Sequence, residues 1–409
     1  MATPIVFVPG IMGSRLSMPG GPNWDPDDQL EMAKWLALPT GQKLRHVSTI
    51  SRPSADCIST FSTVPMMLSN NPVTAAIAQL TSGLSVGDFY AARGWQTLSW
   101  QFYGEILVAL EVAFNLATPL LQQVSSPVYA FGYDWRQPNQ NSGGALKQFV
   151  DRVLQTESAS QVAIVTHSMG GLVARSACLD ATFVSKVSGV VHVAMPGTGA
   201  VVAYRRTQTG FLTPVDNMES QGQSIFFKQL MGDSPQSYVT LAAGIPSILQ
   251  LLPTNDYPDD WLAANPQVDL FDPYSFYALG QSPGIVAPGL IISTPDFQGP
   301  FLQASLRASI ADAGQFHGAI KGECHPRTYL IYSTGLPTDT RCDMTGAQFV
   351  VSRPLAGDGT VPEVSADGST LDSGSIVDRA IFNGLEHSKV FSGIGSVNAK
   401  CVEFVRQLI

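Results

Sequence analysis

Charged side chains are scarce in this chain. Asp, Glu, Lys and Arg make up 13% of its 409 residues, against roughly 25% in an ordinary globular domain. So little like-charge repulsion suits a large buried core, and it suits a surface that meets an apolar substrate or interface. The charge that is present has the wrong sign for nucleic acid. A net −9 excludes binding driven by Lys and Arg neutralising phosphates, and electrostatic recruitment to anionic lipid. Any transient contact with a lipid interface is therefore expected to be hydrophobic and insensitive to salt.

Long apolar runs are missing too. None reaches the ~18–20 residues of a transmembrane segment. The nearest, Ile106 to Leu121, is broken by Glu111, Asn115 and Pro119 and reads as a buried helix. No secretory leader is visible: Pro4 follows Met1 almost at once, and Ile5–Val8 already reads as a core strand. The expectation is a protein that is cytoplasmic, leaves by a signal-independent route, or derives from a trimmed secreted precursor. Cys-x-x-Cys and His-x-x-x-His spacings are absent, so neither a structural metal nor a cofactor is expected. The five cysteines are an odd number, which leaves at least one free thiol in a monomer. Cys178 and Cys401 read as buried thiols; Cys324 and Cys342 flank a strand and are a candidate bridge.

What is there alternates. Strand signals at Ile5–Val8, Val128–Phe131, Gln161–Thr166, Val187–Val193, Thr328–Tyr332 and Ile376–Phe382 are interleaved with helical periodicity at Gly144–Gln155, Gly170–Leu179 and Val397–Leu408. That rhythm predicts an α/β fold, a mostly parallel sheet with helices on both faces. Two stretches interrupt it, residues 20–99 and 201–323. Both exceed the ~4–6 residues usual for a connection. They read as insertions on a single domain spanning 1–409, the first a lid or membrane-contact region and the second a cap. Within the cap, Ile245–Leu252 reads either as pocket lining or as plain core.

The strongest local signal is Val165-Thr166-His167-Ser168-Met169-Gly170-Gly171. It ends an apolar strand and opens a helix, the context of a nucleophile elbow. Small residues are needed beside a serine in so tight a turn, although Thr166 stands where the usual pattern has glycine. A serine hydroxyl needs a base. Of six histidines, His167 adjoins the serine and is expected to point away from its Oγ. His192 sits inside an apolar strand as a core residue, and His46, His317 and His325 fall in or near the insertions. His387, in Gly384-Leu385-Glu386-His387-Ser388 before the last helix, fits the chain order serine, acid, histidine. The acid between them is read as Asp358, whose flanking Gly357 and Gly359 let the backbone turn; Asp367, Asp372 and Asp378 are its competitors. For an oxyanion, the backbone N–H of Met169 follows the nucleophile, and that of Ile11 comes from the turn after the first strand, Pro9-Gly10-Ile11-Met12-Gly13-Ser14.

Taken together these segments resemble the lecithin:cholesterol acyltransferase family, which includes lysosomal phospholipase A2 and bacterial hydrolases. Val8–Ser14 is similar to its first-strand segment, Tyr133-Asp134-Trp135-Arg136 to its Tyr-Asp-Trp-Arg signature, and His167–Gly171 to its elbow. Ala194–Gly199 is similar to the segment after its next strand, and Gly357–Pro362 and Glu386-His387 to its acid and histidine segments. Pro196-Gly197 replaces the tryptophan-bearing version, and Cys57 has no nearby partner to close the small membrane-binding loop of the animal enzymes. The resemblance implies an α/β-hydrolase with Ser168, Asp358 and His387 as triad, Ile11 and Met169 as oxyanion donors, and Tyr133–Arg136 as architectural support. It implies a serine-dependent ester hydrolase or acyltransferase acting on lipid-like or other apolar esters. The alternatives are a non-lipid carboxylesterase and a non-catalytic lipid-binding module that kept the fold.

Overall fold

A computed structural model describes residues 3–18, 20–49, 55–61, 83–116, 126–210, 231, 234–257, 261–262, 269–272, 299–343, 350–392 and 396–409. Its centre is a six-stranded sheet: β1 (Ile5–Val8), β2 (Val128–Ala130), β3 (Val162–His167), β4 (Val187–Val193), β5 (Thr328–Thr334) and β6 (Ile376–Asn383). The spatial order is β6-β5-β4-β3-β1-β2, and every pairing is parallel.

A parallel sheet covered on both faces reads as continuous apolar runs, because neither face meets water. β3 and β4 are buried at every residue. Side chains alternate between two cores, as the period of two requires. Val6, Val8, Val162, Ile164 and Leu330 enter one core; Ile5, Phe7, Ala163, Val165 and Ile331 enter the other.

The helices that fix the site are α1 (Gln29–Ala37), α2 (Thr40–Val47), α3 (Trp100–Glu111), α4 (Asn139–Glu157), α5 (Gly170–Ala177), α6 (Val201–Thr209), α7 (Pro235–Ala242), α8 (Pro246–Leu249), α9 (Gly299–Ile320) and α10 (Ser396–Arg406). Helices α4 and α5 cover the first face through Leu146, Val150, Val153, Leu172 and Val173. Helices α3 and α10 cover the second through Ile106, Leu107, Leu110, Cys401, Phe404 and Val405. The Ile106–Leu121 run is helical through Glu111 and continues as a single π turn, Val112–Leu116; its remainder lies outside the described residues.

Described parts of the two long excursions touch each other. The Thr49 N–H donates to the Gly244 carbonyl at 2.9 Å, and the second is tied to the Tyr133–Arg136 segment by Ser247 Oγ, which donates to the Trp135 carbonyl at 2.6 Å. Buried Arg15 anchors the first excursion, with a bidentate pair to Asp25 and bonds to the carbonyls of Gln96 and Thr60. Among the described residues, no helix is long and apolar enough to cross a membrane.

Helix α4 starts five residues earlier than its apolar periodicity suggests. Pro138 sits at the N-cap position, where a missing N–H costs nothing, so the helix runs through Gly143 and Gly144. The two glycines differ. A Cβ on Gly143 would stand 3.1 Å from Ser176 Oγ and 3.2 Å from the Ala177 backbone on α5, whereas one on Gly144 would meet nothing within 4 Å. Gly144→Ala should therefore raise the unfolding free energy by about 0.5–1 kcal/mol, the helix-interior difference between the two residues. Gly143→Ala should lose that gain; urea unfolding midpoints of the two variants make the comparison.

Candidate active site

The site forms where several strands end, the usual binding edge of a parallel sheet. β3 stops at His167 and α5 begins at Gly170, so Ser168 and Met169 must turn the chain at once. Ser168 takes φ 51°, a left-handed conformation that costs a non-glycine residue of order 1–3 kcal/mol. It is held there by its N–H on the Val193 carbonyl, 2.9 Å, and by its own carbonyl receiving the Gly171 N–H at 2.9 Å. Thr166, where the elbow pattern has glycine, is fully buried. Its hydroxyl meets His192 Nδ1 of β4 at 2.8 Å, so its Cβ branch is absorbed by a polar pair between strands.

The structure brings together all five residues singled out by sequence. Ser168 Oγ lies 2.9 Å from His387 Nε2, and His387 Nδ1 lies 2.6 Å from Asp358 Oδ2. The other carboxylate oxygen of Asp358 accepts the N–H groups of Thr360 and Val361 at 3.0 and 2.7 Å. The Asp358 carbonyl accepts the His387 N–H at 2.9 Å, so acid and imidazole are tied by main chain as well as side chain. Of the competing acids, Asp367 and Asp372 bond into their own turns and Asp378 bonds the N–H of Arg379.

The turn after β1 packs directly on the elbow. A Cβ on Gly10 would come within 2.9 Å of Ser168 Cβ, and one on Gly170 within 2.5 Å of the Pro9 carbonyl oxygen. Gly13 N–H closes the turn on the Gly10 carbonyl at 3.1 Å, and Met12 adopts φ 61°. Among the described residues, no hydrogen bond takes the N–H of Ile11 or of Met169.

The remaining histidines have other partners. His192 is buried, and burial pulls its pKa down to about 3. His317 Nε2 meets the Gln250 carbonyl at 2.9 Å, His325 Nε2 the Val187 carbonyl at 3.1 Å, and His46 packs edge-on against Trp35. His167 turns to Tyr103, Nδ1 to hydroxyl 3.1 Å, and its ring stands beside that of His387 with centroids 5.0 Å apart. It borders the same cavity as Ser168, which the expectation of a side chain turned away did not foresee. Asp134 and Arg136 form a bidentate pair, with Arg136 also on the carbonyls of His46 and Val47, the architectural role read for this motif.

All five cysteines are free thiols, so Cys324 and Cys342 are not bridged. The reason is where each packs. Cys342 is buried, its N–H on the Trp261 carbonyl, while Cys324 lies with Arg175, Thr328 and Ser375.

Ser168 opens on a cavity of about 240 Å³. Its walls are mostly apolar and come from both excursions and from α3: Trp24 from the first, Phe102 from α3, and Met231, Tyr238, Ile248 and Leu251 from the second. The Ile245–Leu252 run thus divides, Ile248 and Leu251 facing the cavity and Ile245, Leu249 and Leu252 serving as core. Tyr103, Trp24 and Phe102 escaped sequence reading, since nothing local marks an aromatic in an apolar helix or loop as a site residue.

Residues 123–255 match the family described as lecithin:cholesterol acyltransferase. This third of the chain carries Tyr133–Arg136, the elbow and Pro196-Gly197, so the resemblance read from the motifs is met there. None of the curated proteins compared with the chain matches it. Among solved structures, the chain is similar to the one described as the crystal structure of the Tle4-Tli4 complex. That likeness has 18% identity and a TM-score of 0.73, covering 100% of this chain and 98% of that one. The mature form of Bacillus licheniformis lipase BlEst2 is 10% identical, with a TM-score of 0.35 over 100% of this chain and 92% of that one. Paleococcus ferrophilus monoacylglycerol lipase is 14% identical, with a TM-score of 0.32 over 75% and 89%. The fold is the α/β-hydrolase fold expected from the sequence.

The Thr166–His192 pair yields a test of how the elbow tolerates a branched residue. Thr166→Val keeps the shape and leaves His192 Nδ1 buried without its partner. Stability should fall by about 1–3 kcal/mol, the cost of one stranded buried polar group, as read from urea unfolding.

Proposed function

We propose that this α/β-hydrolase cleaves or transfers the acyl group of lipid-like esters through an acyl-enzyme on Ser168, with His387 as base and Asp358 as the acid that orients it. One observation carries the reading: the unbroken line from Ser168 Oγ through both imidazole nitrogens to Asp358, opening on an apolar cavity.

Asp358 accepts a hydrogen bond from His387 Nδ1–H, which leaves the Nε2 lone pair facing Oγ. As Oγ bonds the ester carbonyl carbon, its proton passes to Nε2. The carbonyl oxygen becomes an oxyanion, for which the free N–H groups of Ile11 and Met169 are the donors, Met169 standing at the positive end of α5. Collapse breaks the carbon–oxygen bond to the leaving alcohol, which takes the proton from His387. Water or a second alcohol then gives its proton to Nε2 and attacks the acyl carbon; collapse breaks the bond to Oγ, which takes the proton back from Nε2, so that the acid or new ester leaves and Ser168 is restored.

The lipid part of the reading rests on the apolar walls and on the family match over residues 123–255. A binding module with no chemistry would have no use for a serine, an imidazole and a carboxylate in hydrogen-bonded series, and for that reason we do not favour it.

Ser168→Ala should lower turnover by several orders of magnitude. Asp358→Asn should be crippled, because the amide can hold the wrong imidazole tautomer. Asp372→Asn should stay near wild type, since among the described residues the Asp372 carboxylate hydrogen-bonds only within its own turn. Mass spectrometry of products from vesicles of neutral phospholipid and sterol, with Ser168→Ala as blank, tests the substrate class. Fatty acid or acylated alcohol released only by the wild type is the expected result, and their ratio separates hydrolysis from transfer. Intact vesicles together with cleavage of a short soluble ester would retain the chemistry and remove the lipid.

A further inference from the structure

The peptide unit joining Pro9 to Gly10 is held at both ends of its dipole. The Tyr133 hydroxyl donates to the Pro9 carbonyl at 3.0 Å, and the Gly10 N–H donates to the Tyr103 hydroxyl at 3.0 Å. The two tyrosines are buried and reach this peptide from opposite faces of the sheet. Tyr133 packs in the core of Val6 and Val8, Tyr103 in the core of Ile5 and Phe7. Rotating the peptide would strand two buried backbone groups, and each such loss is costly.

The next peptide unit carries the Gly10 carbonyl at one end and the Ile11 N–H at the other. Its carbonyl is taken by Gly13 N–H, so its N–H is directed by the same turn. The orientation of the Ile11 donor is thus set one peptide upstream, by two hydroxyls 30 residues apart in sequence.

The Tyr103 oxygen accepts from Gly10 and lies 3.1 Å from His167 Nδ1; with His167 as the Nε2–H tautomer, the Tyr103 proton is donated to Nδ1. That bond requires an unprotonated Nδ1. Burial holds the His167 pKa well below its ordinary value, and the neighbouring His387 adds to the effect. Because His167 precedes Ser168, the bond ties the turn after β1 to the elbow.

We propose that Tyr103 and Tyr133 are positioning residues, which fix the Pro9–Gly10 peptide so that the Ile11 N–H is aimed at the oxyanion before substrate arrives, and that His167 registers this clamp to the nucleophile. The inference rests on the reading of Ser168 as nucleophile and Ile11 as donor. It assigns the two hydroxyls a share in transition-state stabilisation and none in substrate binding.

Phenylalanine at either position keeps the ring and removes only the oxygen. With a short soluble ester, Tyr103→Phe and Tyr133→Phe should each lower kcat about 10–100-fold and leave KM within about twofold, less than the loss from deleting an oxyanion donor outright. Labelling of Ser168 by an organophosphonate, whose oxygen uses the same donors, should slow in parallel. His167→Asn keeps an acceptor for the Tyr103 proton and should retain most activity, whereas the similarly sized His167→Leu should behave like Tyr103→Phe. Wild-type kcat and labelling in both Phe variants would overturn the proposal, as would equal activity of His167→Asn and His167→Leu. The second pair decides the matter if a Phe variant does not fold. Absence of Ser168 labelling in the wild type would instead overturn the reading of the site itself.

Discussion

Two turns of main chain approach each other here until no side chain fits between them, and the site depends on that contact. The turn after β1 and the elbow after β3 touch through Gly10 and Ser168, and through Pro9 and Gly170, at distances that any added Cβ would violate. Backbone this close cannot adjust to a substrate by repacking, because there are no rotamers to exchange. Its geometry is set by adjacent parallel strands in register, Ile5 beside Ala163 and Val8 beside Thr166. The strained φ of Ser168 is sustained by that scaffold, in which strands buried on both faces resist local movement.

The same scaffold solves a problem of sequence distance. Ser168 and His387 are 219 residues apart, and Asp358 and His387 are 29 apart. Ordering such remote groups costs conformational entropy that no single hydrogen bond repays. The two apolar cores supply the compensation, and they leave Ser168 at the end of β3 and His387 shortly after β6. His387 sits on a brief 3₁₀ turn, Glu386 before it and Lys389 at its end. Such a turn is weak alone. Double attachment to Asp358, N–H to carbonyl and Nδ1 to carboxylate, makes the acid a structural anchor of the imidazole as well as its electrostatic partner.

What could be read from the sequence was whatever is encoded locally or by chain order. The strands announced themselves by apolar runs, the elbow by small residues at a strand–helix junction, and Asp358 by its flanking glycines. His387 emerged from its position after the last strand. The contacts that were missed share one character: they join residues far apart whose types are unremarkable where they stand. Tyr103 is one more aromatic in an apolar helix, 93 residues from Gly10. Thr166 looked like a defect in the elbow until His192, 26 residues on, supplied its partner. Cys324 and Cys342 looked pairable because they flank one strand, yet proximity in sequence says nothing about the separate clusters in which their thiols end.

The juxtaposition of His167 and His387 adds an electrostatic condition to these geometric ones. On the proposed mechanism His387 becomes an imidazolium at each tetrahedral stage. A positively charged His167 with its ring 5.0 Å away would oppose that charge by about 3 kcal/mol at an effective dielectric constant near 20, which is more than two powers of ten in rate. Burial prevents this. It excludes water from His167, disfavours its charged form, and leaves Nδ1 free to accept from Tyr103. On the proposed reading one act of desolvation serves two ends, keeping the neighbourhood of His387 neutral and holding the turn that carries Ile11. A more exposed His167 would weaken both together, so on the proposed mechanism the tight packing of Tyr103, Phe391 and His167 serves the chemistry as well as the core.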